Sequence, residues 1–237
     1  MEREEATEGL ERAAEIAASA GLELRRTSEG LALTDGAMLL VADFSRMIPR
    51  LRQGRLQAEL LVKAARVRGV EASSAVDACA GLGEDGLLLA AAGFSVTLFE
   101  LDPVIAALLR DALVRAAAVP ELAEPVSRMT LVEGDSIAAL QGMTEEPDVV
   151  YLDPMFPERQ KSAAVKKKFQ LLHRLERPCA DEGALLNAAL SAHPRKVVIK
   201  RPLKGPWLGG VKPSHCVSGK AVRYDVLVPP RPTDIGR

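Results

Sequence analysis

The chain has 237 residues, 48% of them hydrophobic and 27% charged, with a formal net charge of −1. That apolar fraction supplies a sizeable core and sets aside a disordered chain, and the length allows one α/β domain with an accessory segment, or two small domains. The near-neutral balance argues against a wholly electrostatic nucleic-acid binder and leaves any such contact to local patches.

Cys79, Cys179 and Cys216 are far apart and odd in number, so neither a metal site nor a disulfide framework is expected, and a reducing cytoplasm fits best. The stretch MEREEATEGLERAAEIA is acidic and helical in pattern rather than basic then apolar, and no apolar run reaches the ~18 residues of a membrane span. A soluble chain with no membrane segment is expected.

Residues 2–20 predict an Ala- and Glu-rich helix. The β-prone runs that follow are separated by Ser28-Glu29-Gly30 and by Thr34-Asp35-Gly36, the latter a hairpin signal. Residues 1–45 are thus expected to form a small N-terminal α+β appendage. From Arg46 to Arg68, seven basic residues stand against one acid, Glu59, and Leu56 to Val67 has helical periodicity. A basic linker and helix is expected over 46–70. Its Arg52 and Arg55 are candidate contacts to an RNA backbone, although a solvated basic face has the same composition.

From residue 74 strands and helices alternate. Strands are predicted at 75–78, 96–100, 130–135, 148–153 and 196–200, and helices at 85–92, 103–118, from Ser136, near 160–176 and over 181–191. Two further β-like runs, near 215–218 and 222–228, have no helix between them and predict an antiparallel hairpin. This pattern argues for a doubly wound, largely parallel sheet over residues 71–237.

Such sheets bind ligands at the carboxyl ends of their strands. The first strand runs into Ala80-Gly81-Leu82-Gly83, where Gly81 and Gly83 let the backbone turn tightly beside a ligand. Glu100 ends the second strand, where a carboxylate can accept hydrogen bonds from both ribose hydroxyls of an adenosine. Asp135, at the end of the third, can bind an adenine amino group, while Ser136 opens the next helix. Asp77 and Asp85 flank the glycine turn and can face a cationic group of the cofactor. Asp85 also suits the first turn of its helix as a mere dipole partner. Three acidic positions on three successive strand ends say more than any one of them.

Tyr151-Leu152-Asp153-Pro154-Met155-Phe156-Pro157 ends the fourth strand. It resembles the (Asp/Asn)-Pro-Pro-(Tyr/Phe) loop of amino-group methyltransferases. An exocyclic amine on a nucleobase is a poor nucleophile, because its lone pair is delocalised into the ring. Asp153 and the carbonyl of Pro154 can accept its N–H groups, and Phe156 can stack on the base. Lys161 and Lys166-Lys167-Lys168 follow at once, and Lys200-Arg201 ends another strand. All of these are candidate phosphate contacts.

Together VDACAGLGEDGLLLAAAGFSVTLFELDPVIAALLRDAL, DVVYLDPMFPERQKSAAVKKK and KVVIKRP resemble the RsmJ family, bacterial methyltransferases of guanine N2 in small-subunit (16S) ribosomal RNA. The resemblance spans roughly residues 50–228, and its most specific part is the run from Asp153 to Lys167. It implies a class I, Rossmann-like methyltransferase fold with a seven-stranded, mostly parallel sheet. It also implies S-adenosyl-L-methionine as methyl donor and small-subunit ribosomal RNA, naked or assembled, as partner. The family's cofactor contacts fall at Glu84, Asp85, Glu100, Leu101, Asp135, Ser136 and Asp153. Glu84 and Leu101 stand where the family has mostly Arg, and Asp135 where it often has Ser. Other readings are methyl transfer to a different amine, a non-catalytic RNA-binding protein, and a nicotinamide-dependent oxidoreductase. The last shares the spacing Gly81-Leu82-Gly83-Glu84-Asp85-Gly86 but leaves the Asp153 loop unexplained.

Overall fold

A computed structural model describes residues 2–70, 73–154, 170–172, 174, 175 and 181–230. Helix α1 (Glu2–Ser19) is followed by strands β1 (Glu23–Thr27), β2 (Gly30–Thr34) and β3 (Leu39–Val41), an antiparallel sheet in that order. Thr34 and Asp35 close the second turn. The Thr34 hydroxyl donates to the Met38 carbonyl, and Asp35 Oδ1 accepts from the amides of Ala37 and Met38. A 3-10 turn (Phe44–Met47) and three short helices follow: α2 (Ile48–Leu51), α3 (Gln53–Leu56) and α4 (Leu60–Ala65).

The periodic stretch Leu56–Val67 is thus not one helix. The chain leaves helical geometry at Glu59, with ψ 132°. There Glu59 takes both Nε and Nη2 of Arg50 at 2.8 Å, a bidentate pair that folds α2 back beside α4.

The main sheet has the order β6-β5-β4-β7-β8-β10-β9. Strands β4 (Ser74–Asp77), β5 (Ser95–Glu100), β6 (Met129–Glu133), β7 (Val149–Leu152) and β8 (Lys196–Pro202) are parallel. Strand β10 (Val222–Leu227) lies antiparallel between β8 and β9 (His215–Ser218). This is the seven-stranded, mostly parallel sheet that the sequence resemblance implies.

Helices α5 (Glu84–Ala91), α6 (Pro103–Ala116) and α7 (Pro120–Val126) cover one face with α4, and α8 (Ser136–Gln141) and α9 (Glu182–Ser191) cover the other. Helix α7 is not evident in the sequence, because Pro120 and Pro125 read as breakers. Pro120 sits in the first turn, where its missing N–H costs nothing, and Leu122 and Val126 are buried.

The N-terminal segment shares the core of the main sheet. Ala13, Ala17, Leu31, Leu33 and Leu40 belong to one buried cluster with Leu88, Ile105 and Leu108. On α6, Asp111 Oδ2 accepts from the Leu31 amide at 2.9 Å and from Arg115 Nε at 2.7 Å. Phe44 reaches the glycine turn itself. Gly83 has φ +76°, and a Cβ there would lie 2.6 Å from Leu109 Cδ1 and 3.2 Å from Phe44 Cζ. Gly81 also has positive φ, +54°, but open space beside it.

Gly83→Ala should therefore lower the melting temperature by about 4–20 °C, from ~1–2 kcal/mol for a left-handed alanine and ~1–3 kcal/mol for overpacking. Gly81→Ala should lose only the backbone part. Equal losses in thermal denaturation would refute the packing contribution at Gly83.

Candidate active site

The sheet's connections reverse between β4 and β7, and the carboxyl ends of these strands frame a crevice. The turn after β4 carries Gly81 and Gly83. The Gly83 amide bonds the Ala80 carbonyl at 2.8 Å, and the Ala80 amide bonds the Phe99 carbonyl at 3.0 Å, tying the turn to β5. Glu100 braces the same turn from the end of β5. Its Oε2 accepts from the Gly81 amide at 2.8 Å and its Oε1 from the Asp102 amide at 2.9 Å. Each oxygen keeps a lone pair for a further donor. Burial nevertheless pushes the Glu100 carboxyl up to about 7, against the pull of those amides.

Neighbouring positions differ in what they present. Leu101 is 68% exposed beside Glu100, an apolar surface at the crevice edge. Glu84 is exposed on the first turn of α5. Asp135 caps α8 through the Ile137 amide at 2.9 Å and remains exposed, while Ser136 is buried.

A cluster of ionisable groups occupies the α5 face of the sheet. Asp77, Tyr151, Asp153, Lys200 and Tyr224 share that face by the alternation of their strands. Lys200 Nζ lies 2.5 Å from Asp85 Oδ2 and 2.8 Å from Asp153 Oδ2. The Tyr151 hydroxyl donates to Asp85 Oδ2 at 2.7 Å. Burial alone would raise the Asp85 carboxyl, but the Lys200 ammonium and the Tyr151 hydroxyl hold it below its ordinary value. Burial opposes the Lys200 charge in the same way, and the two carboxylates override it and hold its pKa above the ordinary lysine value.

Asp77 is 1% exposed. Its Oδ1 accepts from the Cys79 amide at 3.2 Å, and its Oδ2 has no hydrogen-bond partner among the described residues. Burial, followed by the Asp85 carboxylate, pushes its carboxyl up to about 8.

Lys200 and Arg201 do not form the phosphate-facing rim expected of them. Their side chains are 17% and 0% exposed. Successive residues of β8 point to opposite faces, so Lys200 enters the carboxylate cluster while Arg201 turns toward α9. There Arg201 Nε donates to the Pro206 carbonyl at 2.8 Å, and Nη1 lies 3.3 Å from Glu182 Oε1. Arg52, at the bend between α2 and α3, and Arg55, on α3, are exposed. Pro154 is buried and Asp153 half-buried. Phe156, Lys161, Lys166, Lys167 and Lys168 lie outside the described residues, as does most of the helical stretch expected over 160–176. Tyr151 and Arg50 were not singled out by sequence. A strand tyrosine next to an acidic loop, and an arginine nine residues before the lone acid of a basic stretch, were the available signals.

Asp77 and Glu100 both bind a proton more tightly in the folded chain than in the unfolded one. The stability this confers is complete below the unfolded pKa near 4 and is lost as pH rises toward about 7 and about 8. The urea midpoint of the ligand-free chain should fall between about pH 5 and about pH 8, and Asp77→Asn should flatten that fall. An unchanged slope in the variant would remove Asp77 as the cause.

Among the described residues no helix is long and apolar enough to cross a membrane. Residues 5–229 match the family described as "Putative SAM-dependent methyltransferase", a span that takes in the N-terminal helix and sheet. The chain is 48% identical over 181 residues to a Ribosomal RNA small subunit methyltransferase J from Thioalkalivibrio sulfidiphilus, covering 75% of this chain and 71% of that one. It is 42% identical to the protein of the same name from Aeromonas hydrophila, covering 89% and 84%. A crystal structure of a SAM-dependent methyltransferase from Neisseria gonorrhoeae superposes with a TM-score of 0.68 at 33% identity, over 85% of this chain and 80% of that one. With its sheet order, its glycine turn braced by Glu100 and these relatives, the chain belongs to the S-adenosylmethionine-dependent methyltransferases that include the ribosomal RNA small subunit methyltransferases J.

Proposed function

We propose that this enzyme transfers a methyl group to the exocyclic N2 amine of a guanosine in small-subunit ribosomal RNA, in the cytoplasm. The observation that carries this reading is the placement of Asp153. It leaves β7 at the switch point, on the same sheet face as Asp77 and held by Lys200, next to the turn that Glu100 braces. The names of the relatives supply the RNA.

The crevice suits the cofactor. Among the described residues, open space lies beside Gly81 and the buried Asp77 Oδ2 lacks a hydrogen-bond partner. S-adenosylmethionine, when bound, supplies an electrophilic methyl group on a sulfonium. Glu100 would hold the ribose hydroxyls, Gly81 and Gly83 the close backbone approach, and Asp77, with Asp85 behind it, the cationic methionine end. Asp135, Ser136 and Leu101 would border the adenine, and Glu84 would stand at the entrance beyond the turn.

At the acceptor, Asp153 and the Pro154 carbonyl would accept the N–H groups of the amine. This turns its lone pair toward the methyl carbon and raises electron density on nitrogen. Phe156 would fix the plane of the base. The nitrogen, held by Asp153 and the Pro154 carbonyl, would receive the methyl group that S-adenosylmethionine supplies and lose its proton to solvent. No covalent enzyme intermediate is needed, so rate depends on alignment. Arg52 and Arg55, together with Lys161 and Lys166-Lys167-Lys168, would hold RNA phosphates around the crevice.

Ribosomal RNA from cells lacking the gene should lose one N2-methylguanosine by mass spectrometry, and the purified chain should restore it. An unchanged nucleoside profile would refute the reading. Asp153→Ala should abolish transfer while weakening cofactor binding far less, and near-normal turnover would sink the role given to Asp153. Reversing both Arg52 and Arg55 to Glu should weaken RNA association and reduce the slope of log affinity against log salt by about 1.5. An unaltered slope would take these two arginines out of the RNA contact.

A further inference from the structure

Charged residues at the carboxyl ends of strands in this fold are ordinarily read as ligand contacts, and Lys200 is one of them. Its geometry gives it different work. The ammonium is the link between two carboxylates from different elements, Asp85 on α5 at 2.5 Å and Asp153 at the end of β7 at 2.8 Å. Among the described residues, the groups that face it are these two carboxylates and, across the register of β10, Tyr224, whose backbone pairs with that of Lys200. Tyr151 from β7 donates to Asp85. Arg50 from α2 and Asp77 from β4 act on the same cluster at longer range.

We propose that Lys200 is a positioning residue for methyl transfer, its ammonium clamped between Asp85 and Asp153 so that the Asp153 carboxylate is fixed toward the acceptor amine. The proposal rests on the role given to Asp153 above. An unclamped carboxylate at the start of a loop would sample several rotamers. One of its oxygens is instead pinned from the α5 side, which sets the plane of the carboxyl group. Lys200 stays protonated throughout, because burial is outweighed by two facing carboxylates. It therefore neither takes nor gives the amine's proton, and its contribution is orientation and charge balance. Asp85 in turn is anchored by Tyr151 from the strand that carries Asp153, closing a ring of contacts through α5, β7 and β8.

The test uses the full chain with Lys200→Met and Lys200→Arg, assayed on small-subunit ribosomal RNA. Cofactor affinity is measured separately by calorimetry. Lys200→Met should lower kcat by about 100-fold, the scale of a misplaced reacting group, while the Kd for S-adenosylmethionine and the KM for RNA each change by less than about 3-fold. Lys200→Arg, which keeps the charge, should recover at least about a tenth of wild-type kcat. Wild-type turnover in Lys200→Met, or a loss of cofactor affinity as large as the loss of kcat, would overturn the proposal.

Removing the ammonium leaves Asp85 and Asp153 facing one another, so Lys200→Met alone can fail to fold. The double variant Asp85→Asn/Lys200→Met removes that repulsion and should show the same fall in kcat, and wild-type kcat in it would again overturn the proposal. One further measurement does not need RNA. The 13Cγ resonance of Asp85, assigned by its loss in Asp85→Asn, should titrate at higher pH in Lys200→Met than in wild type and stay low in Lys200→Arg. A wild-type chain that methylates no RNA would refute the proposed substrate and leave this titration to decide the clamp. No movement in it would refute the clamp alone.

Discussion

Three carboxylates, those of Asp77, Asp85 and Asp153, converge on one face of the sheet, and a single ammonium stands among them. Removing a charge from water costs several kcal/mol unless a partner replaces the solvent. Lys200 meets that requirement for Asp85 and Asp153, and the Tyr151 hydroxyl adds a neutral donor. Asp77 has no such partner among the described residues and meets it differently, by holding its proton. The crevice thus contains one neutral acid and two carboxylates that share one ammonium, an arrangement that favours the arrival of a cation near Asp77. A cationic methionine end there would convert Asp77 from a buried acid into a paired carboxylate.

The glycine turn depends on that same economy of polar groups. Glu100 is raised toward neutrality by burial, yet two backbone amides already point at it. The turn and the acid are set relative to one another before any ligand arrives, so binding requires little further ordering. Packing reinforces this from the other side. Phe44, beyond the N-terminal sheet, reaches Gly83, and Asp111 fastens that sheet to α6. The segment before residue 46 is therefore part of the support of the glycine turn, and its hydrophobic residues belong to the same core.

Much of this was legible in the sequence. The alternation of strands and helices, the two turns of the N-terminal hairpins and the acids at successive strand ends all follow from local chemistry. What was not legible is instructive. The break at Glu59 depends on an ion pair to Arg50, which is a tertiary fact that helical periodicity does not carry. Helix α7 starts at one proline and contains another, and only the burial of Leu122 and Val126 holds it in place. Lys200 and Arg201 look like a surface pair because strands covered on both faces show no apolar–polar alternation to tell inside from outside. The loop at the end of β7 was visible as Asp153-Pro154, but the lysine that contacts Asp153 lies 47 positions away, on a strand that pairs with β7 only in three dimensions.

That adjacent pair on β8 also bears on how the chain folds. Lys200 belongs to the layer of α5 and Arg201 to the layer of α9, each with acidic partners on its own side. A one-residue slip of β8 against β7 that brought Ile199 to the place of Lys200 would leave Asp85 and Asp153 without their counter-ion and carry Lys200 into the opposite layer. Apolar side chains such as Val197, Val198 and Ile199 are nearly interchangeable across the two layers and enforce register weakly. The two charges enforce it strongly. In a sheet whose central strands read as uniform hydrophobic runs, the electrostatics of the reaction centre double as a proofreading signal for strand assembly.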